Sequence, residues 1–230
     1  MDRALEAQNA LVFSYLTLRK AIGILGFALP FAVALGALII FQTGLQGSIS
    51  GYYYTGMRDV LVGSLWATAF FLLAYKGYGP ADDIAGDVGC LAAVGITLFP
   101  TTPDNPSDAA KVIGAIHLVF GALFFLTLIY FSIFLFTKKA QNEVPTPEKL
   151  IRNRVYLGCG IIMAACIVLV AITFILPGGA AASLAAYHPV FVLETIAIWA
   201  FGVSWLTKGE AILKDQTRPA VSSLPAATNP

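Results

Sequence analysis

Charge is what this sequence has least of. Only 12% of its 230 residues are Asp, Glu, Lys or Arg, against about 25% in an ordinary soluble domain. Apolar residues make up 58%, and the mean hydropathy is +0.79. So little charge cannot coat a water-facing surface, which excludes a soluble enzyme, a nucleic-acid binder and a disordered regulator. A bias of sign is missing too: the net charge is +1, so no bulk field draws an acidic partner. Cysteine is scarce, with Cys90, Cys159 and Cys166 all inside apolar runs. An odd number with none in a loop argues against a disulfide framework, and no CxxC or His/Cys cluster offers a closed zinc site. These thiols read as small buried hydrophobes. There is no P-loop and no dinucleotide fingerprint. Ser64 stands in VGSLW rather than GxSxG, so a serine-hydrolase elbow is missing. No cofactor is named by any motif.

What the chain does have is long apolar runs. A membrane-crossing helix needs about 20 mostly apolar residues, and six segments qualify: 21–42, 59–76, 84–101, 111–137, 153–177 and 187–208. Pro177, Gly178 and Gly179 punctuate the end of the fifth. Runs this long and continuous leave only helices able to satisfy their own backbone in lipid. The alternation of a β-barrel is missing. The expected fold is therefore all-α, a polytopic six-helix transmembrane bundle over 21–208. It is preceded by a segment 1–20 and followed by a small, polar, proline-containing tail over 209–230, expected to be disordered. Residues 1–20 carry Asp2, Arg3 and Glu6 and lack the order of a cleavable signal. They read as an interfacial helix or as an extension of the first span.

Basic residues give the orientation. With the N-terminus inside, 12 of the 14 Lys and Arg fall on the inner side, and only Arg58 and Lys111 lie outside. The positive-inside rule then places both termini in the cytoplasm, with 43–57 and 101–110 as outer loops. The expected location is a bacterial inner (cytoplasmic) membrane.

Titratable groups at membrane depth are functional candidates. His117 lies about six residues below the outer end of the fourth segment and Glu194 about seven below that of the sixth, so both sit roughly 9–10 Å down. Ser64 is at similar depth. Arg58 and Asp59 stand at the outer mouth of the second segment and His188 at that of the sixth. Gly114 and Gly121, at i−3 and i+4 from His117, share its helical face and would let a neighbouring helix approach. Three readings follow. His117 and Glu194 could form a hydrogen-bonded staple between two spans. They could hold a metal together with His188 or Asp59 and activate water on a lipid. Or Arg58, Asp59, Ser64, His117 and Glu194 line a pocket for a lipid or amphiphile, Arg58 taking an anionic oxygen through its planar fork.

Other features have plainer readings. Asp82, Asp83 and Asp87 complement a helix N-terminus. Tyr52, Tyr53 and Tyr54 read as an outer aromatic belt, and Trp199 and Trp205 as packing or interfacial anchors. Lys208 is expected to snorkel.

The stretches SISGYYYTGMRDVLVGSL, LLAYKGYGPADD, GITLFPTTP and ETIAIWAFGVSWLTKGE, with His117 in the fourth segment, resemble a bacterial six-span membrane family of unknown function. That family is distantly similar to the FRAG/DRAM-type proteins. The resemblance covers roughly residues 20–210 and implies a six-helix bundle with cytoplasmic ends. Roles among eukaryotic relatives, from lipid-anchor remodelling to autophagy modulation, fix no activity. The ceramidase and adiponectin-receptor type of hydrolase carries an HxxxH pair on its last span, and this chain has only His188 and Glu194 there. The expectation is a non-enzymatic membrane protein that binds a lipid or amphiphile in a polar pocket open to the outer leaflet. A metal-assisted intramembrane lipid hydrolase or transferase is the alternative. A structural subunit with a membrane-protein partner, or a homo-oligomer, is a third reading. Nucleic acid is not an expected partner.

Overall fold

In the computed structural model, residues 2–75, 77, 79–138 and 146–214 are described, with side chains from residue 15 onward. They form seven α-helices and, among the described residues, no strand: α1 (Asp2–Ile39), α2 (Arg58–Leu73), α3 (Pro80–Leu98), α4 (Asp108–Tyr130), α5 (Pro147–Ile175), α6 (Gly178–Ala185) and α7 (Pro189–Lys208). A 3₁₀ turn, Ser50–Tyr54, precedes α2, and α4 runs on as a π-helical turn, Phe131–Leu135. Residues 2–20 and the first apolar segment are one continuous helix. The tail from 215 onward lies outside the described residues.

Local chemistry sets the helix starts. Ser107 caps α4 by accepting from the Ala110 N–H at 3.2 Å, and Thr146 caps α5 by accepting from the Lys149 N–H at 3.1 Å; each hydroxyl satisfies one of the orphan donors of a first turn. Pro80, Pro147 and Pro189 open α3, α5 and α7, where a missing N–H costs nothing. Pro177 does end α5, but Gly178 and Gly179 then begin the short α6 instead of a loop.

Among the described residues, four helices are long and apolar enough to cross a membrane: Tyr15–Ile39, Asp108–Leu135, Pro147–Ile175 and Pro189–Lys208. The other two expected spans correspond to α2 and α3. The first has 16 residues, roughly 24 Å of rise against about 30 Å of hydrocarbon. The second has 19, including Asp82, Asp83 and Asp87. Large side chains such as Ile24, Leu98, Val119, Phe174 and Ile175 stand outward, 60–80% exposed. Their spread over the bundle surface far exceeds what water tolerates.

The six longer helices close a ring in the order α1, α7, α5, α4, α3, α2, and its loosest seams are α4–α5 and α1–α2. Small residues make the tight ones. A Cβ on Gly23 would stand 2.8 Å from the backbone nitrogen of Leu206 and 3.0 Å from the carbonyl of Gly202. Gly23→Val is therefore expected to lower stability by about 2 kcal/mol through overpacking, read as a drop in the melting temperature in detergent. An unchanged melt would contradict so close an α1–α7 seam.

At the end of the bundle away from residues 43–57, Tyr75, Phe131, Phe136, Tyr156, Phe201 and Trp205 form an aromatic core, several pairs meeting edge to face. Such pairs add about 0.5–1.5 kcal/mol each beyond their burial. Trp205 is thus a core residue, not an interfacial one. Trp199 packs on Phe27 and Phe31 and donates its indole N–H to the Phe27 carbonyl at 3.1 Å. The polar staple of the bundle is also here. Ser132, in the π turn, donates to the Tyr156 carbonyl at 2.8 Å and accepts from Ser204 at 2.8 Å, tying α4, α5 and α7. The cysteines are unpaired, Cys159 and Cys166 buried in the same core.

Candidate functional site

Residues 43–57 do not lie over the end of the bundle but fold into it. The Gly47 carbonyl accepts from the Phe191 N–H at 3.0 Å, and the Ile49 N–H donates to Glu194 Oε2 at 2.7 Å. Tyr52 is fully buried against Phe191, with ring centroids 6.0 Å apart. The expected tyrosine belt is therefore three different things. Tyr52 is core, Tyr53 carries Arg58, and the exposed Tyr54 donates to the Thr101 carbonyl at 2.6 Å.

This loop brings Ser50 beside two of the expected residues. A cavity of about 220 Å³ lies in the loose α4–α5 seam, with Ser50, His117 and Glu194 on its polar side. Leu118, Gly121, Ala122 and Phe125 from α4 and Ile167, Val170, Ala171 and Phe174 from α5 form its apolar walls. A smaller cavity of about 60 Å³ continues past Ser50 and Glu194 toward Leu65, Thr68 and Phe201. Ser50 and His117 also meet at a narrow space beside Thr97 and Thr101.

His117 and Glu194 share a cavity but are not hydrogen-bonded to each other, and each has a backbone partner. His117 Nδ1 lies 2.8 Å from the Phe99 carbonyl. A carbonyl can only accept, so Nδ1 carries the proton and, in the neutral ring, Nε2 carries the lone pair. Gly114 explains how Phe99 gets there. A Cβ at Gly114 would run into Thr102, so this glycine admits the 99–102 segment rather than a neighbouring helix. Gly121 meets nothing within 4 Å and opens the cavity.

Arg58, Asp59 and Ser64 are not among the residues lining these cavities. Arg58 and Asp59 are exposed, and the Arg58 guanidinium is held over the Tyr53 ring, its Nε donating to the Tyr53 carbonyl at 3.0 Å. Ser64 uses its carbonyl to accept from Thr68 along α2. His188 caps α7 in the left-handed region, φ 46°, outside the cavities. Among the described residues no three His, Cys, Asp or Glu side chains gather where a metal could bind. Of the five expected pocket residues, His117 and Glu194 line one cavity together, and Ser50 joins them there. The signal for Ser50 was there in SISGYYY, whose Ser and Gly favour a turn, but not the inward direction of that turn.

Comparison with protein-family models, with characterised proteins and with solved structures gives no match.

Proposed function

We propose that this chain is a multi-pass membrane protein, in a bacterial cytoplasmic membrane with both termini inside, that binds a lipid or other amphiphile between α4 and α5 without chemically changing it. The observation that carries this is the α4–α5 cavity, with apolar walls from two helices and Ser50, His117 and Glu194 at one side. Its volume of about 220 Å³ is below the roughly 300–1,000 Å³ that encloses a whole small ligand. It suits part of an acyl chain whose remainder stays in the bilayer. With the positive-inside orientation the cavity belongs to the outer leaflet.

The lining includes a carboxylate and no Lys or Arg. With Arg58 elsewhere, the polar side suits a head group that donates hydrogen bonds, a hydroxyl or an amine, better than a phosphate. Hydrolysis through a metal would need a third ligand beside His117 and Glu194, and His188 is not placed to be one.

Gly121→Leu is the cleanest test, because its side chain would enter open space instead of displacing backbone. Native mass spectrometry in mild detergent is expected to show a lipid-mass adduct on the wild type that is at least tenfold weaker in Gly121→Leu, at an unchanged melting temperature. His117→Ala is expected to weaken it too, with some loss of stability from the orphaned Phe99 carbonyl. A bare wild type, or equal adducts on wild type and Gly121→Leu, would overturn the reading.

A further inference from the structure

What the α4–α5 cavity offers a ligand is set by the polar atoms that the protein leaves unused. Glu194 Oε2 accepts from the Ile49 N–H at 2.7 Å, and Oε1 makes no hydrogen bond among the described residues. His117 Nδ1 donates to the Phe99 carbonyl at 2.8 Å, which leaves the lone pair on Nε2 of the neutral ring. The Ser50 hydroxyl, in the first turn of Ser50–Tyr54, also has no hydrogen bond among the described residues. A carboxylate oxygen and an unprotonated ring nitrogen can only accept, and a hydroxyl accepts as readily as it donates. All three groups line the same cavity.

Two further observations point the same way. Ile96, in the last turn of α3, lines the cavity as well. The last carbonyls of a helix have no partner within it, and its C-terminal end favours a cation. The smaller cavity reaches Ser50 and Glu194 from behind, but its other walls are apolar except for Thr68, whose hydroxyl donates to the Ser64 carbonyl. It therefore brings no spare donor to the carboxylate.

The head group that completes this set must supply donors. A hydroxyl has one donor, so it satisfies a single acceptor. A primary ammonium has three N–H donors and no acceptor, which match Oε1, Nε2 and the Ser50 oxygen one to one. Its charge is opposite to that of a carboxylate, and hydrogen bonds from an ionised donor are about twice as strong as neutral ones. A trimethylammonium brings the charge without an N–H, and a phosphate brings only more acceptors.

We propose that the head group seated here is a primary ammonium, held by Glu194 Oε1, His117 Nε2 and Ser50 Oγ, with its chain along the α4–α5 walls. This rests on the reading of that cavity as an amphiphile site. The amine belongs to phosphatidylethanolamine or to a single-chain alkylamine, and one experiment separates the two.

The full chain in mild detergent is titrated with dodecylamine or dodecanol, which share a chain. It is also titrated with dioleoyl phosphatidylethanolamine or dioleoyl phosphatidylcholine, which share chains and phosphate. Melting temperatures and adducts in native mass spectra follow the binding. Dodecylamine is expected to bind at least tenfold more tightly than dodecanol. Glu194→Gln keeps an acceptor for the Ile49 N–H and removes the charge, and it should bring that preference below threefold. Ser50→Ala, whose hydroxyl holds nothing in the fold, should lower the preference at least twofold and serves should Glu194→Gln fold poorly. Phosphatidylethanolamine binding more tightly than phosphatidylcholine as well assigns the amine to a lipid. Equal binding of the two lipids, with dodecylamine still ahead of dodecanol, assigns it to a single-chain amine. Dodecylamine and dodecanol binding alike would overturn the ammonium, and so would a tenfold preference that survives Glu194→Gln. Gly121→Leu, whose side chain enters open space, tells that failure from failure of the cavity. Loss of every probe in Gly121→Leu leaves the cavity standing with a different head group, and binding unchanged by it removes the cavity too.

Discussion

Asp82→Asn is expected to cost about 3 kcal/mol of stability, the low end of what removing one partner of a buried ion pair costs. The Asp82 side chain is fully buried and paired with Lys138, whose side chain is 35% exposed. Without the carboxylate, Lys138 can retreat toward water, but Lys208 loses a negative charge that offsets the Arg19, Lys149 and Arg152 charges acting on it. Neutral Asn keeps the shape and removes only the charge. Thermal melts in detergent should show the loss, and Asp82→Asn with Lys138→Met should be milder than the sum of the single changes because the two groups are coupled. Asp108→Asn is the comparison. Its pair with Lys111 is exposed, and such surface pairs contribute little, so its melt should match wild type. Equal melts for Asp82→Asn and Asp108→Asn would contradict a structural role for the buried pair.

Glu194→Ala is expected to release residues 43–57. The carboxylate accepts from the Ile49 N–H at 2.7 Å, and leaving a buried donor without an acceptor costs about 1–3 kcal/mol. At about 2 kcal/mol the Ile49 amide should exchange with deuterium roughly 30-fold faster, since each 1.4 kcal/mol is about tenfold. Ser50 would leave the cavity with the loop, so amphiphile binding should fall as well. Glu194→Gln retains a carbonyl oxygen and should restore most of the protection. A Gln variant exchanging as fast as the Ala variant would show that the charge, rather than the hydrogen bond, holds the loop.

These expectations mark how far the sequence could be read. The all-helical fold and its apolar exterior follow from long hydrophobic runs, because such runs leave the backbone no other way to satisfy itself in lipid. The two short elements were harder. The α2 and α3 stretches look like spans by composition, yet α2 stops at 16 residues and α3 brings three aspartates. Asp82 looked like a helix-start carboxylate, and its burial against Lys138 depends on a residue 56 positions away.

At the candidate site, depth alone brought His117 and Glu194 to the same level, and both line one cavity. Their partners were not legible, because each is satisfied by a backbone group, Phe99 for one and Ile49 for the other. Backbone hydrogen bonds of irregular segments leave no mark in residue identity. Arg58 was drawn to the pocket by its charge, and the chain instead holds it over Tyr53. The inward setting of Lys208, over the Phe136 ring, was hidden by the positive-inside pattern itself, which gives buried and snorkelling cations the same sequence signature.

An acyl chain seated in the α4–α5 cavity would be within reach of a photolabel that it carries. The most direct measurement reconstitutes the protein with a phospholipid carrying a diazirine on its acyl chain, irradiates it and maps the labelled residues. Labelling is expected to concentrate on residues 118–125 and 167–174 and to disappear from both stretches in Gly121→Leu. Labels spread evenly over outward residues such as Ile24, Ile84 and Leu91, and unchanged by the substitution, would show a lipid that only bathes the bundle and contradict a binding site between α4 and α5.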